Sequence, residues 1–522
     1  MKDAVSCPLL TTVRNSCHRP IVITENHIVN YGEFLNLVAQ TVLQLKKYHL
    51  KPFDRVALIG PNSLGYLVTM YALWRLKIIT CPLNNYLPEK AVAGSMQQIN
   101  AKVLIRPAAI SFETFNEGDT IPKRNWFAKL EQCNLERLGI ILPSSNRNSE
   151  ERQYKIIDFE KITYDCLESP SQHQLSDFVF FMDDPLTIIF TSGSSTQPKG
   201  VLHSFGNHYF NALGSNEHIP LNTNSQWLLS LPLYHVGGLS IFFRILLAKA
   251  SIVIPENQQS ILDTLKNHPV THISLVPVQL YRLLQKKETV KILKKLSAIL
   301  IGGGPISPSL VQHATSEGLP IHITYGLTEM ASQVATSYQL KASNRTLSVR
   351  PLNHREVNIL DGQILVRGKT LFLGYISKKR LTPPRMTDGW FPTGDLGQWT
   401  IDRQLIITGR QDNMFISGGE NIQPEEIEHY LLQITEIQNA VVVAKSDKEF
   451  GQRPIAFIKF KEGSHLLRAT IVQTLGKYLP KFKIPDHFFY WPLKKEEGDM
   501  KVKRLAFINK LKNLYGTLIE IE

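Results

Sequence analysis

Cysteine is scarce in this chain and confined to its first third: Cys7, Cys17, Cys81, Cys133 and Cys166 in 522 residues, with no Cys-x-x-Cys spacing anywhere. An odd, dispersed set of this kind suggests neither a disulfide framework nor a zinc site, and buried or idle thiols are expected instead. Long apolar runs are also missing. No stretch reaches the roughly eighteen residues of a membrane span, and the first ten residues lack the basic-then-apolar order of a secretory signal. A cytoplasmic protein with no integral membrane segment is expected. A Walker ending is lacking too: Gly193-Ser-Ser-Thr-Gln-Pro-Lys-Gly200 has no Gly-Lys-Ser/Thr, which disfavours a kinase or P-loop ATPase.

Acidic charge is in the minority, 45 Asp and Glu against 58 Lys and Arg, for a formal net charge of +13. That excess suits ATP, coenzyme A, a carboxylate, nucleic acid or an anionic surface, and solvated lysines explain it equally well. The basic stretches at 477–483 and 494–504 carry no interleaved aromatics for base stacking, so no nucleic-acid partner is expected. With 43% hydrophobic and 20% charged residues, the composition is that of a globular protein long enough for two or more domains.

What is present is an alternation. Phe34, Leu37, Val38, Thr41, Val42 and Leu45 recur at helical spacing; 55–60 then reads as a strand and 67–76 as another apolar helix. Similar alternation returns over 227–254, 273–276, 298–301 and 321–324, so an α/β fold with parallel sheet is expected. Residues 116–176 are polar and less periodic, as in an irregular surface excursion. Over 357–407, short strands parted by Asp361-Gly362 and Asp388-Gly389 predict hairpins of a small β-barrel-like unit. After Arg410 the pattern changes to helix (424–432), strand (440–443) and strand (453–460), a smaller α+β domain. The expected division is a large domain of mixed and parallel sheets over 1–410 and a C-terminal domain over 411–522.

Residues 186–190 form a β-branched and aromatic run suited to a buried strand, and 201–213 can continue as a helix. Between them, Gly193 and Gly200 permit close approach or positive φ. Thr191, Ser192, Ser194, Ser195 and Thr196 add hydroxyls to a concave backbone array suited to an anion, and Lys199 adds a mobile charge. A flexible Ser/Gly connector has the same composition. Tyr325-Gly326-Leu-Thr328-Glu329 follows an apolar segment, at a strand end where open α/β sheets bind ligands. Thr328 and Glu329 can hold magnesium, or can be a capping residue and a solvated carboxylate. Thr393-Gly-Asp395 and Gly409-Arg410-x-Asp412 can serve a ribose, or can be plain hairpin turns. Gly418-Gly419 admits a thin ligand arm beside the backbone, and equally makes a turn before a Pro-started helix.

Together these five peptides, in this order, resemble the adenylate-forming superfamily of acyl-CoA synthetases, aryl-CoA ligases and luciferases. The resemblance implies ATP, Mg2+ and coenzyme A as co-substrate, with a small-molecule carboxylic acid converted to an acyl-adenylate and then to a thioester. By that resemblance Thr191 to Gly200 hold the phosphates, Thr191 and Glu329 the metal, Tyr325 the base and Asp395 with Arg410 the ribose. Asp412 is the hinge of a mobile C-terminal domain, and Gly418 and Gly419 border the pantetheine path. Lys501 in Gly498-Asp-Met500-Lys-Val-Lys503-Arg504 is the catalytic lysine; Met500 replaces the usual glycine, which leaves Lys503 as the other candidate.

The stretches Leu231-Pro-Leu-Tyr-His235-Val-Gly-Gly-Leu-Ser-Ile-Phe-Phe-Arg244, Ile301-Gly302-Gly303-Gly304 and Tyr325 to Gln333 resemble the o-succinylbenzoate-CoA ligases of menaquinone biosynthesis more closely than fatty-acyl or phenylpropanoid ligases. The glycines at 302–304 leave room for a flat ring, with Gly303 also toward the nucleotide. Arg244 can pair with a second carboxylate, and His235 can lie beside the reacting carboxyl. Another aryl or medium-chain acid, or a non-catalytic adenylate-binding homologue, stays open; so does oligomer formation. Gly237-Gly238 stands where that ligase family often has Ser-Gly.

Overall fold

The computed structural model describes residues 3–87, 89–107, 110–111, 155–158, 162–163, 178–191, 199–255, 261–304, 306–343, 347–377, 380–384, 386, 388–417, 420–447, 450–479, 481–492, 504, 506–508, 511 and 518–522. Two compact units are present: Met1–Ser274 with Leu327–Gln333 and Gly368–Pro384, and Leu275–Gly326 with Val334–Arg367 and Arg385–Glu522.

The first unit contains an eight-stranded mixed sheet, in the order Arg380–Thr382, Gly374–Ser377, Gly200–Ser204, Pro185–Phe190, Ile79–Leu83, Arg55–Ile59, Val103–Arg106, Lys155–Asp158. Arg55–Ile59 lies parallel to both of its neighbours, whereas Pro185–Phe190 meets Gly200–Ser204 antiparallel, with Ile188 opposite Leu202. The expected helix from 201 therefore begins later. Residues 200–204 are buried throughout, and an apolar run buried on both faces cannot be told from a helix segment by periodicity. The helix Phe205–His218 starts only where Ser204 supplies a capping box with Asn207. Within the stretch 116–176, Lys155–Asp158 is not irregular: it pairs parallel to Val103–Arg106.

A further set in this unit places Ile28–Asn30, Pro20–Ile23, Ser251–Val253 and Gln226–Leu228 side by side. Helices Tyr31–Lys46 and Leu64–Arg75 begin at Asn30 and Ser63 caps and bury Phe34, Tyr71 and Trp74. Those rings meet Phe242 and Phe243 of the helix Val236–Ala248 at centroid distances of 5.4 to 6.4 Å. Aromatic pairs at such spacing add to the burial of their area.

In the second unit, Ala298–Ile301 runs parallel to Ile321–Leu327. Arg355–Leu360, Gln363–Gly368, Phe391–Trp399 and Leu405–Arg410 make a four-stranded sheet in chain order. Among the described residues that sheet keeps two edges, so the expected barrel-like closure is corrected to an open sheet. Asp361 and Gly362 both take positive φ, 49° and 78°, as the tight hairpin between the first two of these strands requires. The C-terminal part combines helices Pro424–Leu431 and Arg468–Leu475 with strands Ile437–Asp447, Gly451–Phe460 and His487–Tyr490 around Ile427, Leu431, Val442, Ile458, Ile471 and Phe488. Cys7 and Cys81 are buried free thiols and Cys17 is exposed; Cys133 and Cys166 lie outside the described residues. No described helix is long and apolar enough to cross a membrane.

Candidate active site

Ser192, Gly193, Ser194, Ser195 and Thr196 lie outside the described residues, but both ends of their loop are defined. Thr191 N donates to Lys199 O at 3.0 Å, and Lys199 N donates to Thr191 Oγ1 at 3.4 Å, which closes the neck where the strand Pro185–Phe190 ends. Gly200 serves packing: a Cβ there would stand 3.2 Å from Ile188 Cγ2 and 3.3 Å from Ile99 Cγ2. Lys199 Nζ lies 5.1 Å from the centroid of the Tyr375 ring. The Tyr375 hydroxyl in turn donates to Glu329 Oε1 at 2.8 Å.

Glu329 sits in a single turn of 3-10 helix, Thr328–Met330, closed by Ala331 at φ 56°. The carbonyl of Thr328 accepts from His203 Nε2 at 2.6 Å. Burial pushes the His203 pKa down to about 4, so the ring is neutral near pH 7. A hydroxyl and carboxylate oxygen set such as Thr191 and Glu329 has the hard donor chemistry that magnesium takes.

Arg244, on the helix Val236–Ala248, is 1% exposed. Its Nη2 donates to Gln333 Oε1 at 2.6 Å and to Ser240 Oγ, one helical turn earlier, at 3.1 Å. The guanidinium carbon lies 5.0 Å from the Trp227 ring centroid. Nε and Nη1 meet no acceptor among the described residues. Burial lowers the Arg244 pKa to about 9. A buried guanidinium with two unanswered donors is costly unless an anion joins it.

His235 is the residue before the same helix, half-buried, its ring 4.7 Å from that of Tyr234. Asn62 holds the loop that carries it, giving Nδ2 to Leu231 O at 2.9 Å and taking Leu233 N on Oδ1 at 3.0 Å. Gly238 is required by proximity: a Cβ would stand 2.6 Å from Leu231 O and closer still to Pro232 O.

The second unit gathers Tyr325, Asp395 and Arg410. Asp395 faces Arg410 in the register of Phe391–Trp399 with Leu405–Arg410. Its carboxylate takes Arg410 Nη1 on Oδ1 at 2.8 Å and the Tyr325 hydroxyl on Oδ2 at 2.6 Å. Desolvation, then the neighbouring carboxylate, pushes the Tyr325 phenol well up. A carboxylate accepts on both oxygens, the chemistry that a pair of vicinal hydroxyls takes. Thr393 Oγ1 caps the Asp395 N–H at 3.0 Å. Gly302 packs where a Cβ would stand 2.5 Å from Thr324 Cγ2, Gly303 takes φ 82°, and beside Gly304 the space is open. Gly326 is exposed. Asp412 falls in the 3-10 turn Gln411–Asn413. Gly418, Gly419, Lys501 and Lys503 lie outside the described residues.

Residues 9–376 match the family model of the AMP-binding enzyme, and residues 426–496 that of the AMP-binding enzyme C-terminal domain. This chain belongs to the AMP-binding enzyme family. It is 37% identical over 365 residues to the 2-succinylbenzoate--CoA ligase of Haemophilus influenzae, covering 68% of this chain and 78% of that protein. To the 2-succinylbenzoate--CoA ligase of Staphylococcus aureus it is 30% identical over 465 residues, 87% of this chain and 90% of the relative. In fold it is similar to o-succinylbenzoate CoA synthetase from Bacillus subtilis in complex with the acyl-adenylate intermediate OSB-AMP, with TM-score 0.77, 24% identity and all of both chains covered. An E. coli MenE with bound OSB-AMS gives TM-score 0.77 and 24% identity over 97% of this chain and 98% of that one.

Within this AMP-binding enzyme, the sequence reading missed Tyr375, His203 and Gln333. Nothing local marks Tyr375 or His203, because their partners lie 46 and 125 positions away. Gln333 ends the stretch Tyr325 to Gln333, but its tie to Arg244 spans 89 positions.

Proposed function

We propose that this chain is an AMP-forming acid-CoA ligase and that its acid is 2-succinylbenzoate. Under this reading one carboxylate of the acid attacks the α-phosphorus of ATP and pyrophosphate leaves. The thiol of coenzyme A then attacks the acyl carbon, AMP leaves, and the thiol proton passes to solvent. The observation that carries the choice of acid is Arg244: a buried guanidinium whose Nε and Nη1 meet no acceptor among the described residues suits an acid with a second carboxylate. The names of the curated relatives support the same acid.

Thr191, the loop 192–198 and Lys199 serve the phosphates, Tyr325 and Gly326 the base, and Asp395 with Arg410 the ribose; Gly303 and Thr328 line the nucleotide. Glu329 with Thr191 would hold magnesium, which would neutralise charge on the phosphate oxygens. His235 borders the path to the acyl carbon, and Gly302 and Gly304 admit the ring. Lys501 stabilises charge on the transferring phosphate during adenylation. Residues 411–522 turn about Asp412 between the two half-reactions, bringing Gly418 and Gly419 into play. Under this reading the reaction is cytoplasmic and its product feeds menaquinone biosynthesis, as the names of the related ligases support. Gly237, where the related ligases often carry serine, removes a hydroxyl and favours as second reading a different aryl acid.

The test is a panel of acids in a pyrophosphate-release assay, followed by coenzyme A and mass detection. Release with 2-succinylbenzoate and formation of its thioester is expected. Activity confined to monocarboxylic acids would remove that acid.

A further inference from the structure

Three buried polar side chains spaced four residues apart, His203, Asn207 and Asn211, run from the strand Gly200–Ser204 into the helix Phe205–His218. Four-residue spacing puts the two asparagines on one helix face. Each of the three aims a donor at backbone carbonyls far away in sequence. His203 Nε2 lies 2.6 Å from Thr328 O; a carbonyl only accepts, so Nε2 carries the hydrogen and Nδ1 faces the Thr187 hydroxyl at 3.5 Å. That hydroxyl is also 2.7 Å from His208 Nε2.

Asn207 Oδ1 accepts the Ser204 N–H at 2.9 Å, which fixes the amide and turns Nδ2 to Lys369 O at 3.0 Å and Leu371 O at 2.8 Å. Asn211 Nδ2 reaches Met330 O at 3.0 Å and Gln333 O at 3.1 Å. These carbonyls bracket Glu329. Thr328 precedes it and Met330 follows it. The segment held at Lys369 and Leu371 continues to Phe372, whose N–H donates to Glu329 O at 2.8 Å, and to Tyr375, whose hydroxyl donates to Glu329 Oε1 at 2.8 Å. Three polar side chains at 5% exposure or less are a poor choice for filling space, since burying a polar group carries a desolvation cost that an apolar side chain avoids. Their common target is the corner that carries Glu329.

We propose that His203, Asn207 and Asn211 are positioning residues for adenylation, holding the backbone on both sides of Glu329 so that its carboxylate and the Tyr375 hydroxyl keep one orientation. This rests on the ligase reading above. Small misplacements of a reacting constellation cost large factors in rate, whereas thioesterification of an acyl-adenylate already made has no pyrophosphate to expel.

The experiment compares wild type, His203→Phe and His203→Gln in three measurements: magnesium dependence of ATP binding by calorimetry, pyrophosphate release, and thioesterification of supplied acyl-adenylate. His203→Phe is expected to raise the magnesium needed for half-maximal binding and to slow pyrophosphate release by roughly 10- to 100-fold, with thioesterification within about threefold of wild type. His203→Gln keeps an N–H donor and is expected to recover most of the loss. Unchanged magnesium dependence in His203→Phe, or equal loss in both half-reactions, would overturn the positioning role. Should His203→Phe not fold, Asn211→Leu carries the same comparison with the same outcomes. Absence of acid-dependent pyrophosphate release in wild type would overturn the ligase reading instead, and the magnesium dependence of ATP binding would still decide the positioning role.

Discussion

Arg244 Nη2 is tied to Gln333 Oε1 at 2.6 Å while Nε and Nη1 of the same guanidinium face no acceptor among the described residues. The glutamine sets the plane of the fork, and the proposed second carboxylate answers its other edge. Lysine keeps the charge but loses the planar geometry. Arg244→Lys is expected to lower kcat/KM for 2-succinylbenzoate by roughly 10- to 100-fold, about 1.4 to 2.7 kcal/mol, mostly through KM. Affinity for ATP should be unaltered. Pyrophosphate release against acid concentration checks this, and an unchanged KM would count against the carboxylate role.

Asp395 accepts from Arg410 and Tyr325 at once. Asp395→Asn keeps the shape and removes the charge, so ATP affinity is expected to fall about tenfold or more, since hydrogen bonds to charged groups contribute roughly 1.5 to 3 kcal/mol. The acid's own KM should move little. Calorimetric titration with ATP is the measurement.

Gly238 stands too near Leu231 O and Pro232 O to admit a Cβ. Gly238→Ala is expected to destabilise the fold by about 1 to 3 kcal/mol through forced backbone shift. It should also displace the loop bearing His235. A lowered Tm together with slower thioester formation would agree with this, and an unchanged Tm would not.

His208 is buried against Phe243, their rings 4.8 Å apart and nearly parallel, and burial holds its pKa well below the ordinary 6.5. The folded state therefore excludes a proton that the unfolded chain binds. Its contribution to stability is present above pH 6.5 and is lost as pH falls through the folded pKa. Stability measured by denaturant titration should decline as pH is lowered below 6.5, and His208→Phe should flatten that decline. A slope unaltered by the substitution would contradict the assignment.

Lys501→Ala is expected to abolish most adenylation while sparing thioesterification of supplied acyl-adenylate. Lys503→Ala should leave both rates near wild type. The reverse pattern would move the role to Lys503.

Local pattern carried much of this protein. The helix Tyr31–Lys46 was legible from the apolar period of Phe34 to Leu45, and the hairpin at Asp361-Gly362 because an Asp-Gly pair suits the positive φ that both residues take. The strand Gly200–Ser204 was not, since a run buried on both faces has no period of its own. The Thr191 to Gly200 loop, the Tyr325 to Glu329 turn and Asp395 stood out through their order along the chain and the family resemblance, since each peptide alone reads equally well as a connector or a turn. Tyr375 and His203 could not, because their meaning lies in partners that only the fold brings near. Arg244 was visible as a charge in an apolar helix, but Gln333, which orients it, was visible only as the last residue of a motif.

One assay follows both half-reactions. Purified protein is incubated with ATP, magnesium and 2-succinylbenzoate, pyrophosphate is measured, coenzyme A is added, and the product is weighed by mass spectrometry. Acid-dependent pyrophosphate release followed by the mass of the 2-succinylbenzoyl thioester is the predicted result. Tight ATP binding with no pyrophosphate released for any carboxylic acid would contradict it.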